Sequence, residues 1–107
     1  MKLPKKIAIG FRTFDVSLHA KGYLPNIMGS VNNGNRVIYI EEGHHAHDML
    51  DTVIHECLHV MVGDSNLVDE TDEEKLVATL SNKFTELFVR NPSLLNWMRQ
   101  QVKETSK

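Results

Sequence analysis

The sequence predicts an α+β fold, on three observations. The N-terminal part alternates apolar and polar residues at the period of a β-strand. The C-terminal part carries apolar residues at helical spacing over longer stretches. Between them, Asn33-Gly34 lies between two apolar runs, the signature of a hairpin. Strands followed by helices imply a small antiparallel or mixed N-terminal sheet and then three helices.

In chain order, residues 6–10 carry Ile7 and Ile9 in alternation, and Phe14, Val16 and Leu18 alternate after them. Gly10 suits a turn or bulge between the two. A loop with Gly22 and Pro25 follows. Residues 27–31 and 36–41 then flank Asn32-Asn33-Gly34-Asn35, where Asn and Gly both tolerate positive φ. Val37-Ile38-Tyr39-Ile40 is the most strand-like run in the chain. A first helix is predicted over residues 48–62, stopped by Gly63. It is apolar nearly all round, which predicts a buried helix. A second runs from about Thr71 to Arg90, with Thr71 and Glu74 as a capping box. Its apolar stripe is Leu76, Val77, Leu80, Phe84, Leu87 and Phe88. Asn91-Pro92 ends that helix and starts a third, Asn91 as cap and Pro92 in the first turn.

The 107 residues suit one compact domain spanning 1–107, large enough to bury a core without disulfides. A formal net charge of -2 gives no electrostatic case for nucleic acid or anionic lipid as the main partner. Acidic residues concentrate between Asp64 and Glu74. Cys57 is the single cysteine and reads as a small core residue, so nothing points to an oxidising compartment. No apolar run fits a signal peptide or a membrane span, and the expected location is the cytoplasm.

His55-Glu56-Cys57-Leu58-His59 has the pattern H-E-x-x-H. On a helix, positions i and i+4 share a face, so two imidazoles can grip one Zn²⁺. Glu56, beside the first ligand, can take a proton from a water that the metal acidifies, while the metal polarises a carbonyl. The alternative is a pair of hydrogen-bonded core histidines with Glu56 reaching solvent. Burying these groups mid-helix without partners would be costly, which favours the metal reading. Asp51, one turn before His55, can hold the outer nitrogen of a ligand histidine or simply be a solvated acid near the helix start.

A catalytic zinc site needs a third protein ligand. The metzincin pattern requires Gly and His where this chain has Val62 and Ser65, and no histidine follows His59. The remaining candidates are Asp64, Asp69, Glu70, Asp72, Glu73 and Glu74. Periodicity favours Glu73, in line with Val77, Leu80 and Phe84. Glu74 lies at the stripe's edge, beside Val77 and Ser81.

The segments Thr52-Val53-Ile54-His55-Glu56-Cys57-Leu58-His59-Val60 and Glu74-Lys75-Leu76-Val77-Ala78-Thr79-Leu80-Ser81, then Phe84 and Asn91-Pro92, resemble the small gluzincin metallopeptidases. The likeness is to the ImmA/IrrE-like group, and especially to its short versions in bacteriophage genomes. The N-terminal half is also similar, with a short strand pair, Gly29 before a hairpin and the strand of residues 37–40. The resemblance implies a minimal zincin-like domain, with Zn²⁺ held by His55, His59 and Glu74 and with Glu56 catalytic. It implies hydrolysis of a peptide or protein in a host cytoplasm. The strand of residues 37–40, as a sheet edge, would pair with an extended substrate.

Two features depart from the family. The chain is shorter than its usual domain, and no tyrosine follows the motif; the only ones are Tyr23 and Tyr39. Zinc peptidases commonly stabilise the oxyanion with such a group, so the alternative is a non-catalytic metal-binding scaffold that engages a protein partner. His44, His45 and His47, just before the helix, offer an oxyanion donor, a substrate contact or simply a solvated loop.

Overall fold

The computed structural model describes residues 3–22, 27–66 and 68–105. The loop expected around Pro25, with Tyr23 in it, lies outside them. Four strands, β1 (Lys6–Ile9), β2 (Arg12–His19), β3 (Gly29–Asn32) and β4 (Val37–Glu41), precede three helices, α1 (Ala46–Ser65), α2 (Glu70–Arg90) and α3 (Pro92–Thr105). The sheet is mixed, in the order β1-β2-β4-β3. β1 and β2 pair antiparallel, as do β3 and β4, while β2 and β4 run parallel.

Both hairpins follow from local chemistry. Ile9 pairs with Arg12, leaving Gly10 and Phe11 as a two-residue loop in which Gly10 has φ 62°. Positive φ at such a position is what the twist of a tight hairpin requires. In the β3–β4 hairpin the left-handed residue is Arg36, at φ 55°, and not the expected Asn33 or Gly34. Asn32 paired with Val37 leaves a four-residue loop, and the Asn32 side chain accepts from Asn35 N–H at 3.0 Å. That Asx bond shapes the start of the loop and moves the reversal to its end.

One face of the sheet carries Ile9, Phe14, Ile38 and Ile40 into a core closed by Val60 of α1. Met49, Val53 and Cys57 extend the same contact, so Cys57 is a packing residue, and burial raises its thiol pKa. α1 is not buried all round. Thr52, Glu56 and Val60 are buried, but Leu50 and Met61 stay exposed, because only the sheet and α2 cover the helix. Nor does Gly63 stop it; the helix continues to Ser65 and ends on Asn66 in the left-handed region.

α2 starts before the expected Thr71. Asp69 is its cap, accepting from Asp72 N–H at 2.9 Å, so Thr71 and Glu74 form no capping box. Its inward face also differs from the predicted stripe. Val77, Ser81 and Thr85 are buried against α1, whereas Leu76, Phe84 and Leu87 are 39%, 38% and 42% exposed. The Ser81 and Thr85 hydroxyls are satisfied within the helix, by Ala78 O at 3.2 Å and Ser81 O at 2.7 Å. α3 packs on α2 alone and buries no residue completely. None of the described helices is long and apolar enough to cross a membrane.

Candidate metal centre

α1 and α2 bring three of the expected residues together. His55 and His59 are one turn apart on α1, their Nε2 atoms 3.1 Å from each other. Glu74, from the first turn and a half of α2, places Oε1 3.2 Å from His55 Nε2 and Oε2 2.8 Å from His59 Nε2. His55, His59 and Glu74 thus form a group able to hold a metal ion. A tetrahedral cation with bonds of about 2.0 to 2.1 Å spaces neighbouring ligand atoms about 3.3 Å apart, so the observed separations suit one with little movement.

The outer nitrogens identify which atoms face inward. His59 Nδ1 lies 2.8 Å from Glu73 Oε2, and a carboxylate there can only accept. His55 Nδ1 lies 3.4 Å from Ser81 Oγ, whose own hydrogen points to Ala78 O. With Nδ1 as the donor in both rings, both Nε2 atoms turn lone pairs toward each other and toward the Glu74 carboxylate. Such a convergence of acceptors is unfavourable unless a cation or protons lie among them.

The sequence left Glu73 and Glu74 as rivals for the third ligand. The structure gives them different places, Glu74 at the convergence and Glu73 behind His59. Asp51 does not back either histidine; its Oδ1 lies 3.4 Å from Thr85 Oγ1. The reason is geometric. Asp51 lies on the α1 flank beside Thr85, while Glu73 and Ser81 on α2 face the rings directly.

Glu56 is 6% exposed and lies under β3. Burial raises its carboxyl from the ordinary 4.5 to about 7, with His59 opposing the shift and Glu74 adding to it. A cleft of about 1130 Å³ runs past these residues, with β3 on one wall and the α1–α2 connection on the other. Gly29, Ser30 and Val31 contribute the β3 wall. The expected edge strand, residues 37–40, is interior, between β2 and β3, because the parallel β2–β4 pairing covers its other side. The sheet edge at the cleft is β3.

Arg12 lines the same cleft. Its side chain is 13% exposed, ion-paired to Asp64 and stacked over Phe14 with 5.2 Å to the ring centre. His44, His45 and His47 do not line it. His44 bonds Glu41 Oε1 at 2.7 Å, His45 precedes α1 as its cap, and His47 lies 4.0 Å from Asp48. They sit at the N-terminal end of α1, more than two turns from His55, so none can serve as an oxyanion donor there.

Glu73, Ser81, Gly29 and Arg12 were not expected in these roles. Only Glu73 had a signal, its alignment with Val77 on α2; the others depend on which elements meet. Compared with known protein families, curated proteins and solved structures, the chain gives no match.

Proposed function

We propose that this protein is a zinc-dependent metallopeptidase of the small gluzincin, ImmA/IrrE-like kind found in bacteriophages. It hydrolyses a peptide or protein bond in the cytoplasm of a bacterial host. The observation that carries the reading is the convergence of His55 Nε2, His59 Nε2 and the Glu74 carboxylate at separations of 2.8 to 3.2 Å. A bound Zn²⁺ would supply Lewis acidity, polarising a carbonyl and lowering the pKa of a water. His55, His59 and Glu74 are the residues that would hold it.

Glu56 is the general base. Next to His55 in sequence and lining the same cleft, its carboxylate takes a proton from a water in the site and later returns it to the leaving amine. An extended substrate adds to the β3 edge by backbone hydrogen bonds, which lays its scissile bond along the cleft beside Glu56. Ser30 and Asn33 are polar residues on the cleft wall available to substrate.

Metal analysis and a Glu56→Gln variant test the proposal. Purified protein is expected to carry about one zinc per chain. Chelator-sensitive cleavage of a mixed peptide library is expected to vanish in Glu56→Gln, with zinc retained. Protein without zinc, or cleavage surviving Glu56→Gln, sinks the mechanism.

One observation favours a second reading, a non-catalytic metal-binding scaffold that engages a protein partner. Among the described residues, neither a tyrosine nor a third histidine lines the cleft. Stoichiometric zinc without any chelator-sensitive cleavage selects this reading.

A further inference from the structure

We propose that Glu73 is a positioning residue for the metal centre, fixing the proton of His59 on Nδ1 so that Nε2 is offered to the cation. The inference rests on the metal-binding reading above and assigns the carboxylate which that reading leaves without a task.

Adjacent residues on a helix differ by about 100° in direction, so two neighbouring glutamates do not ordinarily serve one site. Here the imidazole of His59 spans the difference. Its Nε2 meets Glu74 Oε2 at 2.8 Å, and its Nδ1 meets Glu73 Oε2 at 2.8 Å. The His59 ring is thus held between consecutive carboxylates of α2, one on each nitrogen. Their surroundings separate the two roles. The Glu73 side chain is 21% exposed, wedged beside Gly63, where a Cβ would stand 3.5 Å from Glu73 Oε1. The Glu74 side chain is 60% exposed and also reaches His55. Glu73 meets the outer nitrogen of His59, whereas Glu74 meets the inner nitrogens of both rings.

A carboxylate behind a ligand imidazole does two things. It selects the Nδ1–H tautomer, and its charge makes Nε2 a stronger donor. The other ring has a weaker arrangement, Ser81 Oγ at 3.4 Å from His55 Nδ1. The two histidines are therefore unequal, with His59 the more firmly oriented.

The test uses the full-length chain, with zinc affinity measured by competition against a chromophoric chelator and the His59 ring followed by ¹⁵N NMR. Glu73→Ala is expected to weaken zinc binding about tenfold to a hundredfold with one zinc still bound at saturation. Glu73→Asp is expected to recover part of that loss. Glu74→Ala, in contrast, is expected to lose far more. In metal-free protein at alkaline pH, His59 is expected to carry its proton on Nδ1, and to shift toward Nε2–H in Glu73→Ala. Affinity within twofold of wild type in Glu73→Ala overturns the proposal. So does retention of tight zinc in Glu74→Ala alongside its loss in Glu73→Ala, which would exchange the two roles. If wild-type protein takes up no zinc, the metal reading fails. The ring spectrum then decides separately, since an unchanged His59 tautomer in Glu73→Ala removes the positioning role.

Discussion

Gly29 and Glu56 are in such close approach that a side chain at position 29 would collide with the proposed base. A Cβ built there lies 3.1 Å from Glu56 Cγ and Oε2, and 2.9 Å from Thr52 Cγ2. Gly29 begins β3, so the sheet edge and the α1 residues beneath it are fitted to a hydrogen atom. Gly29→Ala is expected to destabilise the protein by about 1 to 3 kcal/mol through overpacking. Thermal melts measure the stability, and an unchanged melting temperature contradicts the packing described. Because the clash bears on Glu56, cleavage is expected to fall further than stability alone accounts for.

Glu56 gives a pH prediction for metal-free protein. Its folded pKa of about 7 exceeds the ordinary 4.5. Between those values the folded state binds more protons than the unfolded state. The group's contribution therefore lowers stability as pH rises from about 4.5 to 7 and is constant beyond. Glu56→Gln lacks this penalty. It is expected to gain up to about 3 kcal/mol over wild type at pH 8 relative to pH 4. Urea titrations of both proteins in chelator check it, and a pH-independent difference refutes it.

Zinc itself is expected to stabilise the fold, because the proposed ligands come from two helices. At a hundredfold excess over Kd, the gain is about 2.7 kcal/mol. Melting temperature should rise with free zinc in wild type and stay flat in His59→Ala. A flat wild-type curve contradicts a preformed site.

Gly63 gives a stabilising prediction. It lies inside α1, and the nearest atom to an added Cβ is Glu73 Oε1 at 3.5 Å, an ordinary contact. Gly63→Ala is expected to raise stability by about 0.5 to 1 kcal/mol. A loss of stability instead means that the helix ends at this residue.

The parts of the molecule legible in the sequence are those set by near neighbours. The alternation of Val37-Ile38-Tyr39-Ile40 marks a strand, and the spacing of His55 and His59 puts both rings on one helix face. Glu56 follows from the same spacing. Glu74 does not: periodicity alone pointed to Glu73, and only the resemblance to small gluzincins selected its neighbour. The two glutamates differ by one position, and the apolar stripe used to orient α2 is not the face that meets α1. The identity of the edge strand is hidden from the sequence for a related reason. The β2–β4 pairing joins segments separated by β3, and no local pattern encodes it. Asp69 outcompeted Thr71 as the cap because its side chain reaches Asp72 N–H, a choice among several acids that composition does not make.

The orientation of α2 carries a cost with consequences for engineering. Rolling the helix by about one residue step would bring Leu76, Phe84 and Leu87 toward α1 in place of Val77, Ser81 and Thr85. More apolar surface would leave water, but Glu74 would swing away from the two imidazoles. The native roll thus leaves Leu76, Phe84 and Leu87 partly exposed and keeps Glu74 beside the two imidazoles. Variants selected for heat resistance alone therefore have a route to improvement that dismantles the centre, and such a screen should score zinc retention together with melting temperature.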